Sequence, residues 1–406
     1  MLRLSKNNIS KFFFTILLLI FWGRDHLISY AKTFLLKLPY VYLIADYIIP
    51  CAMALCFFAA LPFMAKSISY KDILFMLVVG LAYCLNLLIY KDTRNYLTEL
   101  GWTFWISIFP VYFIGVGMDS EDSLPFLYKL SILNIWLLMI ITLLFGTPMS
   151  EERSLYQGAM GRAYNLLPHI MMVCIYVLDR PNVVNVSTFA LSSVYLLTCG
   201  TRGAVLCLFS FIVLFVLLQK PIRKNIAMYI AMLFVMILIL RFYREILLGM
   251  RVLAREIGMS ERIINKLLSG SFFVSSGRNT LRSTVVNGIF ENPVLGYGIA
   301  GDRALIGIYV HNLLLEMLVS FGVILGAMLF VSLVILLVMG YRRASSKQAQ
   351  KLILLLFCTV IIKLFMSSTY LEEELFFLLL GICVNQIRNG SDSRGIEKLE
   401  PMTPEK

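Results

Sequence analysis

From Leu313 to Tyr341 the chain carries a single charged residue, Glu316. A run of that length and polarity exceeds the roughly 20 residues needed to cross a hydrocarbon core of about 30 Å. Other long apolar runs alternate with short polar breaks along most of the sequence. In hydrocarbon every backbone N–H and C=O has to be paired within the chain, so such runs become helices or closed barrels. Barrels are written in alternating segments of ~10 residues, and these runs do not alternate. The expected fold is therefore all-α, a polytopic integral membrane protein. Its 59% apolar and 15% charged residues lie well outside the range of soluble domains.

The net charge of +12 does not form an aromatic-laced patch, and no nucleic acid is expected. Instead the basic residues cluster between runs: Arg3, Lys6 and Lys11; Lys66 and Lys71; Lys220, Arg223 and Lys224; Arg342, Arg343, Lys347 and Lys351. Read by the positive-inside rule, they predict about twelve transmembrane helices with both termini cytoplasmic. Lys91 and Arg94, and the acidic group Asp119, Glu121 and Asp122, fall on the wrong sides and are local exceptions. One membrane domain covers residues 1–388, and a polar, disordered cytoplasmic tail follows from Asn389. A large extracytoplasmic loop is expected near 242–310, with a surface helix at about 250–268. The eight cysteines have no ligand spacing and read as small buried hydrophobes, so no metal and no cofactor is expected.

Polar chemistry concentrates at a few helix starts. By this topology three spans begin on the outer side, behind Arg162, at Arg202 and at His311. Helix N-termini carry partial positive charge and free N–H groups, which suit phosphate. Arg202 sits between Gly200 and Gly203, and an arginine fork matches phosphate oxygens; a snorkelling interfacial arginine is the plain alternative. The loop adds Arg278 and Arg282. His311 opens an apolar run of about 30 residues, ~45 Å if helical, whose first turns would stand in the outer mouth. An imidazole there is expected to titrate low and to accept a hydroxyl proton, or simply to end a helix. Asn312 and Glu316 lie one turn apart, and a Glu inside an apolar span is costly enough to suggest function. His169 reads as a hydrogen-bonded core residue, Lys363 as a partner for the acidic turn at Glu372–Glu374, and Gly322 with Gly326 as a helix-packing pair.

In order and spacing, these elements resemble the O-antigen ligase/polymerase superfamily of bacterial membrane glycosyltransferases. The likeness rests on Gly161-Arg162-Ala163-Tyr164, Thr201-Arg202-Gly203, Gly277-Arg278, the run Asn292-Pro293 with Gly296 and Gly298, and His311-Asn312 followed by Gly322. It covers about residues 158–330. The resemblance implies a GT-C-type membrane fold in the bacterial cytoplasmic membrane and an inverting, metal-independent glycosyl transfer on its outer face. Arg202 and Arg278 would bind the diphosphate of an undecaprenyl-diphosphate-linked glycan, with Arg162 and Arg282 behind them. His311 would orient or deprotonate the acceptor hydroxyl, and Asn312 and Glu316 would support it. Membrane lipid, a flippase and a chain-length regulator are the partners it implies.

Within that family, ligases often place a second glycine three residues after the first. Here Leu325 holds that position and the glycine is Gly326. The expected activity is thus a polysaccharide polymerase for O-antigen, capsule or exopolysaccharide. A ligase passing the glycan to lipid A-core or protein is the alternative. A flippase of an anionic lipid-linked substrate is the reading from another class; the mid-span charges Asp46, Glu316 and Lys363 are few for a transport path.

Overall fold

The computed structural model describes residues 6–34, 48–145, 153–199, 201–219, 226–256, 261–270 and 278–396, and these residues form helices with no strand among them. Four helices are long and apolar enough to cross a membrane: Tyr70–Ile89, Ser120–Ile141, Arg202–Gln219 and Leu313–Arg342. Ile49–Met64 and Val183–Thr198 are shorter and also apolar. Large side chains such as Leu55, Leu88, Phe209 and Ile324 are exposed on them. Such exposure is unfavourable in water at about 25 cal/mol per Å² and costs nothing in hydrocarbon. Gly200, Gly277 and Asp46, singled out in the sequence, lie outside the described residues.

The chain divides into two compact units, residues 1–21, 46–124 and 276–406 in one and 22–45 and 125–275 in the other. In the first, helix Phe109–Gly117 lies along helix Glu374–Ile396. A side chain at Gly115 would meet the Leu378 carbonyl at 2.5 Å, and one at Gly381 would overlap the Tyr112 carbonyl. Backbones this close exchange dispersion contacts that lipid cannot supply. At the end of the pair, Arg388 grips the buried Asp72 with Nη2 at 2.8 and 2.9 Å from its two oxygens and donates through Nη1 to the Ser67 carbonyl at 2.6 Å. Asp72 also accepts from Tyr112 and from the Ser69 N–H that opens its helix.

Removing one partner of a buried pair leaves the other charge stranded. Asp72→Ala is therefore expected to cost about 3 kcal/mol in unfolding measured in detergent. Lys11 and Asp122 also pair, at 2.8 Å, but both are more than half exposed. Lys11→Ala is expected to cost less than about 1 kcal/mol.

The charge exceptions have local causes. Arg94 donates to the Leu87 and Leu88 carbonyls at 2.9 and 3.5 Å, satisfying the last turn of helix Tyr70–Ile89, where a cation also meets the negative helix end. Glu121 and Asp122 lie in the first turn of the helix from Ser120, where acids are favoured.

Three expectations need correction in this unit. The Glu374–Ile396 helix continues past Asn389, so the tail is ordered that far; residues 397–406 are outside the described set. Cys51 and Cys84 are exposed on apolar helices rather than buried. The run from Leu313 to Arg342 is two helices joined at Gly322, whose φ of 75° and ψ of 171° are not helical.

In the second unit, helix Arg153–Asp179 packs on Val183–Thr198 and Arg202–Gln219. His169 is a core residue as expected, with Nδ1 3.1 Å from Ser131 Oγ and its ring edge-on to Trp22. Tyr128 stacks on Tyr176 and donates to Asn185 at 2.5 Å. Helix Ile226–Glu256 bends at Phe242 and continues where the large loop was expected to begin. Glu261 binds Arg251 and Arg255, each at 2.8 Å, so the charges there are partly paired. With Arg262–Leu268, Arg278–Glu291 and Gly301–Ile306, much of the stretch 242–310 is helical.

Candidate active site

The backbone of the candidate site is set by the break at Gly322. A helix interrupted there leaves carbonyls and an N–H without partners, and such groups must be satisfied. The turn Asn292–Gly298 does so. Tyr297 and Gly298 donate their N–H groups to the Val319 and Ser320 carbonyls at 2.8 and 3.0 Å, and Val323 donates to the Pro293 carbonyl at 2.7 Å. Asn292 Nδ2 closes the turn on the Gly296 carbonyl at 2.7 Å, and Asn86 accepts the Ile299 N–H at 2.7 Å. A Cβ on Gly296 would stand 2.6 Å from Gly322 N and the Val319 carbonyl. The Asn-Pro-x-x-Gly-x-Gly run is thus the socket of the broken helix. Gly326 serves the same fold-back: a side chain there would meet the Met317 carbonyl at 2.5 Å, within its own chain segment. The packing-pair reading of Gly322 and Gly326 is replaced by this one.

Helix Arg278–Glu291 buries Val285 and Ile289 against Val310 and Val319. Arg278 and Arg282, four residues apart, share a face of it. Arg282 Nη2 donates to the His311 and Phe365 carbonyls, both at 3.3 Å, and Arg278 Nη1 donates to the Met366 carbonyl. Neither arginine meets a carboxylate among the described residues. Each guanidinium has five donors, so most remain uncommitted; Arg282 Nε is buried and unpartnered.

His311 follows directly from this frame. Its φ is 56°, in the left-handed region that costs a residue with a side chain about 1–3 kcal/mol. The conformation is held by Asn312, whose side chain caps the helix at Leu315 N (3.1 Å), and by the bond from Val310 N to Asp302 Oδ2 at 2.9 Å. The imidazole packs edge-on to Tyr309, centroids 4.4 Å apart, and its buried Nδ1 has no partner among the described residues. Burial first, then the charges of Arg278 and Arg282, push His311 from its ordinary 6.5 down to about 4. The folded state therefore favours the neutral ring. That contribution to stability is complete above about pH 6.5 and is lost as pH falls towards 4. Two cations with uncommitted donors beside a neutral imidazole are chemically suited to hold an anion and to accept a proton.

Sequence reasoning missed the buried group beneath. Arg303 lies 3.4 Å from Asp302, 3.8 Å from Glu316 and 3.1 Å from Glu372, and stacks over Tyr309 at 5.5 Å. Thr369 donates to Glu316, and Lys363 pairs with Glu373 as expected. Glu316 is fully buried, bound by Thr369 and close to Arg303. The segment Phe365–Glu373 joins all of these: it supplies the carbonyls that hold both arginines, and Ser367 O accepts from Tyr309 at 3.4 Å. The only sequence signal was the polar break Ser-Ser-Thr-Tyr-Leu-Glu-Glu-Glu between two apolar runs.

In the other unit, Arg202 opens helix Arg202–Gln219 behind the buried Thr201. A side chain at Gly203 would overlap the Tyr164 hydroxyl, so the start of this helix lies against the helix that carries Arg162, two residues before Tyr164. Arg162 is half-buried and acts on Cys199, three residues before Arg202. The Gly-Arg-Ala-Tyr and Thr-Arg-Gly elements thus meet within this unit. No protein-family model, curated protein or solved structure matches the chain.

Proposed function

We propose that the protein is a bacterial polysaccharide polymerase that joins lipid-linked repeat units at the outer face of the cytoplasmic membrane, in a chain crossing it about twelve times with both termini inside. The observation that supports this reading is the pair Arg278 and Arg282, without acidic partners among the described residues, beside a neutral, strained His311. The imidazole takes the proton of an acceptor sugar hydroxyl, whose oxygen attacks the anomeric carbon of the donor glycan. The bond from that carbon to the phosphate oxygen breaks, and the diphosphate leaves with the electron pair. Guanidinium donors stabilise the charge that builds on the leaving group. Arg202 and Arg162 keep the donor-binding role that the family resemblance implies.

The test is the glycan made by a cell lacking the native gene and carrying His311→Ala or Arg202→Ala at normal protein level. Accumulation of single lipid-linked repeats is the expected result. Full-length lipid-linked polymer would assign the protein as a ligase instead. Normal glycan in both strains would discard the chemistry and favour a transporter.

A further inference from the structure

The turn that receives the broken helix is braced by the ends of two membrane-crossing helices. Val323, which follows the break, donates to the Pro293 carbonyl at 2.7 Å, and Tyr90, directly after Tyr70–Ile89, donates its hydroxyl to the Leu295 carbonyl at 3.5 Å. Gly298 lies against the same Tyr90 ring, where a Cβ would come within 2.6 Å. The turn therefore stands level with both helix ends instead of projecting beyond them. At that level Phe290, Val294 and Leu295 are 65–76% exposed. Next to them on the two helices, Val323, Ile324, Leu88 and Ile89 are 41–71% exposed. The one charge within the turn, Glu291, accepts a hydrogen bond from Tyr297 at 3.3 Å.

We propose that the Phe290–Leu295 turn is a membrane anchor, with Phe290, Val294 and Leu295 seated among the lipid acyl chains at the edge of the bilayer. In water three such side chains would leave most of their apolar surface hydrated, which is unfavourable. Continuity with the exposed faces of two helices fit to cross a membrane identifies the occupant as lipid. Within it the Pro293 and Leu295 carbonyls accept from Val323 and Tyr90 and the Gly296 N–H closes on the Asn292 carbonyl, which lowers the cost of seating it at the bilayer edge, where water still reaches the remaining groups. The anchor fixes the height of His311 above the bilayer, because Tyr297 and Gly298, which follow it in the chain, hold Val319 and Ser320 of the helix that His311 precedes. The proposal is independent of the reaction assigned above.

Single cysteines test it in the full-length chain, in lipid nanodiscs loaded with one chain each, where both faces meet water. A thiol reacts as the thiolate, which does not form in hydrocarbon, so Val294→Cys and Leu295→Cys are expected to react with a charged maleimide about tenfold or more slowly than Asn279→Cys. Asn279 is exposed on the first turn of helix Arg278–Glu291, which leads into the turn. Mass spectrometry locates the label, and the parent chain gives the background of its own cysteines. Equal labelling at 279 and 295 would overturn the anchor. So would protection that appears only in discs holding two chains, which would make the turn a contact between copies.

Discussion

Gly322→Ala is expected to remove most of the folded protein, with a loss of stability above about 3 kcal/mol. At φ 75° and ψ 171° the residue occupies a region that only glycine enters without strain. The added Cβ would also overlap the Val294 carbonyl, a backbone atom held in the turn that Asn292 and Asn86 fix. Relief in either direction breaks bonds: moving the turn releases Tyr297, Gly298 and Val323, and restoring the helix pulls His311 and Asn312 off their frame. Gly249→Ala is the control, since nothing lies within 4 Å of its Cβ and it sits inside a helix. There alanine should be neutral or stabilising by up to about 1 kcal/mol. Thermal unfolding in detergent separates the two, and a Gly322 variant as stable as the parent would refute the broken-helix geometry.

Arg278→Gln should lower polymer formation by about 10²–10³-fold, the scale seen when one preorganised donor is removed from a developing charge. It should also move the pH profile. Arg278 is one of the causes that hold His311 near 4, so removing it raises the imidazole towards 6.5 and shifts the acid limb of activity to higher pH. Burial, the larger cause, and Arg282 remain, so the limb should stop short of 6.5. Arg282→Gln should move it in the same direction. An assay with isolated membranes and purified lipid-linked repeats, run from pH 4 to 8, reads both effects. A rate loss with an unmoved acid limb would mean that His311 is not the proton acceptor.

Much of the molecule was legible because hydrocarbon leaves a chain few choices. The runs around Tyr70, Ser120, Arg202 and Leu313 are helices, as their length and apolarity require. Lys363 found its acid, and His169 its hydroxyl, since a polar group in an apolar run needs a near partner. Gly322 was misread because Gly-x-x-x-Gly looks the same whether the glycines admit a second helix or let one chain fold back. The tertiary partner, Asn292–Gly298, decides between them. Arg303 and Asp302 carry no motif of their own and fall in the stretch 242–310, which reads from the sequence only as a loop. Their burial depends on Phe365–Glu373, more than sixty residues away in the chain, and no local pattern announces such a meeting. Arg278, Arg282 and His311, singled out by their chemistry, lie near one another, while their neighbour Tyr309 was not singled out, because an aromatic ring next to a histidine carries no signal of its own.

The joint at Gly322 also bears on how such a sequence can change. In an unbroken helix, inserting one residue turns everything beyond it by about 100° and sends each side chain to a new neighbour. At Gly322 the register is reset by bonds to a separate turn, so a residue gained or lost between Leu313 and Phe321 need not rotate the stretch that faces lipid. The piece bearing His311 and the apolar piece beyond the joint can therefore drift at different rates, one under the demands of the site around His311 and the other under those of an apolar surrounding.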